Sequence, residues 1–136
     1  MSAKSLQKTL EQQRARRAWD CVQEVTNQPQ DFKKRYSSLA RKVPMLVLTN
    51  GLGQTLAFLK ARGKNDPADE HTVLFRHLSN WVLEQVAPGT GTGHQHLIQW
   101  VLENDSVAYR RATIEALAFL NWLKRFAEAE LPTEEV

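Results

Sequence analysis

The stretch Val43–Lys64, VPMLVLTNGLGQTLAFLKARGK, decides the fold. At 100° per residue Met45, Leu48, Leu52, Leu56 and Leu59 share one face, Val47 and Phe58 lie to another side, and Leu46 and Ala57 to a third. A helix that is apolar all round is a central, buried one, so the stretch is expected to run as a single core helix from Pro44 to Gly63. Gly51 and Gly53 inside it each cost about 1 kcal/mol relative to alanine, and close approach of a neighbouring backbone is the usual reason for tolerating them. Asn50 and Gln54, which flank the glycines, read as packing and hydrogen-bonding positions inside the protein.

The rest of the chain reads as helices around that one. Leu10, Ala15, Ala18, Cys21, Val22 and Val25 give a first helix, about Ser5–Thr26, one broad apolar face, with Arg16, Arg17, Asp20 and Glu24 opposite. A second helix from Asp31 to about Lys42 carries Lys33, Lys34, Arg35, Arg41 and Lys42. Asn65-Asp66-Pro67 supplies a turn, a cap and a first-turn proline for a fourth helix reaching Val86. A short helix, about His94–Glu103, precedes a long last one, capped by Asp105 or Ser106 and ending near Glu130. The expected architecture is an all-α, compact single-domain bundle of about five to six helices over residues 1–136. Residues 1–4 and 131–136 are expected to fray, and 87–93 to form a flexible loop.

A 136-residue chain that is 42% hydrophobic and holds four tryptophans can bury a core of its own. Thr49, Asn50, Gln54 and Thr55 interrupt the longest apolar run, and the first residues contain no hydrophobic signal region, so a soluble, cytoplasmic protein without membrane contact is expected. The single cysteine, Cys21, excludes an internal disulfide and a thiolate zinc cluster. The net charge of +3 conceals a division: residues 1–64 carry 13 Lys/Arg against 4 Asp/Glu, and residues 65–136 carry 5 against 11. Such asymmetry suits a basic surface for a polyanion, or two oppositely charged sets of helices that pack together.

Catalytic chemistry finds no purchase in these residues. The Gly89–Gly93 loop follows no strand and lacks the Gly-Lys-Ser/Thr ending of a phosphate loop. His94 and His96 stand two apart, on different sides of a helix, without an acidic or thiolate ligand at metal-site spacing, so no metal and no other cofactor is expected. His71 lies on the apolar face of the fourth helix and His77 on its polar face, each reading as a capped or solvated histidine and not as a base, and Cys21 reads as a small core residue. On the last helix Tyr109, Ala112, Ala116, Phe119, Leu120, Leu123 and Phe126 form the core arc. Ile114, Leu117 and Trp122, among Arg110 and Arg125, form either an outward face for a protein partner or a wider core arc.

Three segments together resemble a known family, the small subunit of the Cmr (type III-B, RAMP-module) CRISPR effector complexes: LEQQRARRAWDCVQEV (Leu10–Val25), YSSLARKVPMLVLTNGLGQTLAFL (Tyr36–Leu59) and YRRATIEALAFLNWLKRFAEAEL (Tyr109–Leu131). The resemblance implies an all-helical, non-catalytic subunit of an antiviral ribonucleoprotein. Such a subunit stacks with further copies of itself and with the backbone subunits, and helps to hold target RNA along the guide RNA. Guide pairing would supply specificity and protein would grip phosphates, as in another CRISPR class. On that reading the phosphate-binding candidates are Arg14, Arg17, Arg41, Lys42, Lys60, Arg62 and Lys64. The partner-interface candidates are Arg110, Ile114, Leu117, Trp122 and Arg125. A scaffolding module that meets acidic protein surfaces and never touches RNA is the alternative.

Overall fold

The structure, a computed structural model, describes residues 3–88 and 97–133, with side chains from Thr9 onward. Its six helices are α1 (Ala3–Thr26), α2 (Gln30–Asn50), α3 (Leu52–Gly63), α4 (Glu70–Val86), α5 (Leu97–Glu103) and α6 (Ser106–Glu130). They form the expected all-α bundle. Helix α6 packs against α1, α2 and α4, and α3 packs against α4. The core contains Val22, Tyr36, Leu56, Leu78, Phe119 and Leu123, each fully buried. Leu131, expected in a frayed tail, is also buried; Gly89–Gly93, His94 and His96 lie outside the described residues.

The opening stretch is not one helix. Pro44 does not start a helix; it sits inside α2, where it removes a backbone donor. Burial of Val43, Pro44 and Val47 on the inner face holds the helix through it. The break comes at Gly51, which has φ +90, a value that L side chains strain to adopt. Gly51 N–H closes α2 on the Val47 carbonyl at 2.9 Å, and its own carbonyl accepts from Thr55 N–H at 3.2 Å and Thr55 Oγ1 at 2.9 Å. One residue therefore ends one helix and opens the next. A change of direction there rotates the apolar pattern, so Met45 (63% exposed) and Leu48 (67%) face outward while Leu52, Leu56 and Leu59 are buried.

What approaches the glycines is a side chain and not a backbone. Gly51 offers no side-chain cap, and the Gly53 N–H, left without an intrahelical acceptor in the first turn of α3, donates to Tyr109 Oη at 2.8 Å. A Cβ at Gly51 or Gly53 would stand 3.3 or 3.4 Å from that hydroxyl. Tyr109 thus ties the start of α6 to the α2/α3 corner.

Helix α4 starts three residues later than Pro67 predicts. Lys64 and Asn65 take left-handed conformations, residues 66–69 form a turn, and Asp69 is the N-cap, accepting from His71 N–H at 2.7 Å. The His71 ring also meets this cap, its Nδ1 2.8 Å from Asp69 Oδ1. Asp105 caps α6 by accepting from Ala108 N–H.

His77 corrects the reading of α4's polar face. It is buried, with Nδ1 2.7 Å from Tyr36 Oη and Nε2 3.2 Å from Glu24 Oε1, and Arg76 also pairs with Glu24. Burial lowers the His77 pKa, and the hydrogen bond from His77 together with Arg76 holds Glu24 down to about 2. A neutral ring donating from Nε2 and accepting the Tyr36 hydroxyl proton at Nδ1 satisfies all three groups. Both shifts work in one direction. A histidine whose folded pKa lies below its unfolded value loses stability as pH falls through the unfolded value of about 6.5, and Glu24 loses its share below about 4.5. Melting temperature is expected to fall between pH 8 and pH 5, and His77→Gln should flatten that part of the profile in thermal scans at fixed ionic strength.

Candidate nucleic-acid interface

The two halves of the charge division meet, and much of it cancels. Arg14 donates from Nε and Nη2 to the two oxygens of Glu115 at 2.8 and 2.9 Å. Arg17 pairs with Glu84 at 2.7 Å and lies over the Trp81 ring, and Arg35 pairs with Glu70 at 3.1 Å. Each joins a cation of residues 1–64 to a carboxylate of residues 65–136. Arg14 and Arg17 are therefore withdrawn from the phosphate-binding set: their partners come from helices far along the chain, which local spacing does not show. Arg16 pairs with Asp20 at i,i+4, as the spacing predicts.

The cations of the α2/α3 corner are disposed differently. Arg41, Lys42, Arg62 and Lys64 have no ion pair among the described residues, and Lys42, Arg62 and Lys64 are exposed. Arg41 keeps its Nε buried without a hydrogen-bond partner. Lys60 turns away, donating to Asn65 Oδ1 at 3.3 Å and lying over the Phe75 ring, so it is held within the fold. The corner also encloses a groove of about 610 Å³ lined by Leu46, Thr49, Asn50, Gln54, Thr55 and Phe58. Asn50 and Gln54, expected inside the protein, are exposed and line this groove. Their misplacement has the same cause as that of Met45 and Leu48: the helix break at Gly51.

On α6 the outward face is narrower than expected. Ile114 is 59% exposed and Arg110 and Arg125 are exposed, whereas Leu117 and Trp122 pack partly against the core. Trp122 stacks on Phe126 with centroids 5.5 Å apart and donates from Nε1 to Glu11 at 3.1 Å. The outward apolar residues of this end are instead Leu102, Val107 and Ile114, with Val107 and Ile114 two turns apart on α6. Sequence reasoning misses Glu115 as a core residue; its burial shows only once Arg14 and Trp81 are brought to it.

Tyr36 and His77 bring a hydroxyl to an imidazole, but both are buried in the core, out of reach of a substrate. Burial pushes the Cys21 thiol up to about 12, which keeps it protonated and inert at neutral pH. Asp69, Glu70 and His71 place three possible ligand atoms within 4.8 Å of one another, but Asp69 caps α4 through His71 and Glu70 pairs with Arg35. No helix among the described residues is long and apolar enough to cross a membrane.

A small helical bundle with a groove and unpaired cations at one corner and an exposed apolar stripe at another belongs to the class of binding and assembly subunits. Residues 10–130 match the family model described as CRISPR-associated protein (Cas_Cmr5). The chain is 30% identical over 131 residues to the CRISPR system Cmr subunit Cmr5 of Thermotoga maritima, covering 94% of this chain and 89% of that one. It is 31% identical over 118 residues to the subunit of the same name from Thermus thermophilus, covering 85% and 90%. The crystal structure of a CRISPR-associated Cmr5 family protein, also from Thermus thermophilus, superposes with a TM-score of 0.70 at 28% identity, covering 90% of this chain and 97% of that one. The chain belongs to the Cmr5 family, the non-catalytic small subunits of the type III CRISPR effector complex.

Proposed function

We propose that this chain holds target RNA along the guide of a type III-B effector complex through phosphate contacts from the α2/α3 corner, and that it stacks with other subunits, including copies of itself. The observation that supports the RNA role is the partition of the basic residues: Arg14 and Arg17 of α1 are paired with the Glu115 and Glu84 carboxylates, while Lys42, Arg62 and Lys64 are exposed and unpaired, with Arg41 beside them. Cations that stabilise the fold are expected to find carboxylates. Exposed cations on α2 and at the C-terminal end of α3 supply the sequence-independent attraction that a polyphosphate strand requires. Arg62 also sits in the last turn of α3, where the helix dipole favours a positive charge with or without RNA. The exposed face of Val107, Arg110, Ile114 and Arg125 is assigned to protein neighbours, since it combines apolar surface with arginine.

Charge reversal at Lys42 and Arg62 together is expected to cost the fold no more than about 1–2 kcal/mol, from the α3 dipole at Arg62, and to weaken target RNA retention by the assembled complex at temperatures where the variant is folded. For single-stranded RNA, loss of two phosphate contacts should flatten the slope of log affinity against log salt by about 1.4. Retention and slope equal to wild type would reject these two residues. Crosslinks from the corner's lysines to protein alone would favour the scaffolding alternative.

A further inference from the structure

The groove at the α2/α3 corner has a chemistry that phosphate gripping does not require. On α2, Lys42, Leu46 and Asn50 follow one another at i,i+4, and on α3, Gln54, Phe58 and Arg62 do the same, so the two rows form walls that converge on Gly51. At the apex stand two carboxamides, Asn50 and Gln54. Farther out an aliphatic wall, Leu46, faces the half-buried Phe58 ring, which His71 supports edge-on with centroids 5.7 Å apart. One cation lies a turn beyond each wall, and no carboxylate is among the groove's lining residues.

We propose that this groove takes a single unstacked nucleobase of the bound RNA strand. The base would pack between Phe58 and Leu46, meet the Asn50 and Gln54 carboxamides with its hydrogen-bonding edge, and leave its flanking phosphates to Lys42 and Arg62. A volume of about 610 Å³ lies in the range of small-ligand sites, roughly 300–1,000 Å³, so a base with its ribose fits where a helix would not. Single-stranded RNA is recognised in this manner: a base is splayed out, stacked on an aromatic ring and hydrogen-bonded at its edge. Carboxamides present both donors and acceptors and can pair with any base edge by amide rotation, which suits a strand of arbitrary sequence. Charge favours this occupant over an acidic peptide side chain, because a carboxylate in the groove would meet no cation at its apex. The proposal rests on the RNA-binding reading above and adds to it a base-dependent part of the affinity.

The test compares binding of the full chain to an oligouridylate dodecamer and to a dodecamer of the same phosphates with abasic riboses, alongside 15N spectra of the Asn50 and Gln54 side-chain amides. Wild type should bind the base-bearing strand about tenfold more tightly, and the two amide signals should shift only with that strand. Phe58→Leu and Gln54→Leu should remove the difference without weakening binding to the abasic strand, and Lys42→Glu should weaken both strands alike. Gln54 is exposed, so Gln54→Leu and the amide signals carry the test if Phe58→Leu does not fold. Equal, salt-sensitive binding of the two strands would overturn the base site and leave the phosphate reading standing. Absence of binding to either strand would overturn both. Amide shifts produced by the other protein subunits and not by RNA would assign the groove to a protein side chain and overturn the proposal.

Discussion

Glu115→Ala is expected to destabilise the chain by about 3–5 kcal/mol, the scale on which a buried ion pair fails when one partner is removed. Glu115 is buried in the middle of α6 and accepts three hydrogen bonds: Arg14 Nε, Arg14 Nη2 and Trp81 Nε1, at 2.8, 2.9 and 2.9 Å. Truncation leaves the Arg14 guanidinium, whose side chain is only 18% exposed, with only its longer contact to Glu11 at 3.5 Å, and an indole N–H without its acceptor. The carboxylate joins α1, α4 and α6 at one point, so the loss is felt by all three. Glu115→Gln keeps one acceptor oxygen and should lose about half as much. Adding Arg14→Leu to Glu115→Gln removes the stranded cation while the amide oxygen still serves Trp81, and should restore most of the difference. Urea midpoints at constant m-value measure all three variants. A loss below about 1 kcal/mol for Glu115→Ala would mean that Arg14 reaches water or that Glu11 takes over as its anion.

Glu115 also marks where the sequence stops being legible. Helical periodicity places Ala18, Cys21, Val22 and Val25 inside, and they are buried, because packing of a long amphipathic helix is decided by the helix's own spacing. It leaves Glu115 out because a carboxylate in a core is sensible only with its partners, and those lie 101 and 34 residues away. The same holds for His77, whose polar surroundings on α4 suggest solvent until Tyr36 and Glu24 close over it. In the corner, Asn-Gly-Leu-Gly-Gln reads as helix interior as long as proline is given the breaking role. Here burial of Pro44 outweighs its lost donor, while the positive φ at Gly51 makes the break. The basic clusters at helix ends are legible as clusters. Which of them face solvent is not, because that depends on carboxylates from the second half of the chain.

Gly63 is expected to tolerate no side chain at all. It is the last residue of α3, buried against the start of α4, and a Cβ built there would collide with Thr72 Oγ1 and would lie 2.7 Å from the Thr72 backbone nitrogen and 3.1 Å from its Cα. A hydroxyl can rotate aside, but a helix backbone cannot move alone. Helix α4 is fixed at this end by the Asp69 cap and along its length by Leu74, Leu78 and Val82 in the core. Gly63→Ala should therefore push α3 and α4 apart, costing about 3 kcal/mol or roughly 10 °C in melting temperature. Adding Thr72→Ala removes the hydroxyl and leaves the backbone collision, so the double variant should recover only part of the loss. Full recovery would show that the hydroxyl alone sets the limit. Gly51→Ala offers the contrast, since its strain is conformational and its nearest neighbour is the end of a tyrosine side chain that can yield. Its loss should be the smaller of the two. The consequence reaches the corner, because Arg62 precedes Gly63 directly and Phe58 touches His71 in the first turn of α4. A bundle forced open at Gly63 would shift one wall of the groove relative to the other, so Gly63→Ala should weaken RNA retention beyond what its unfolded fraction explains, measured at a temperature where the variant is fully folded.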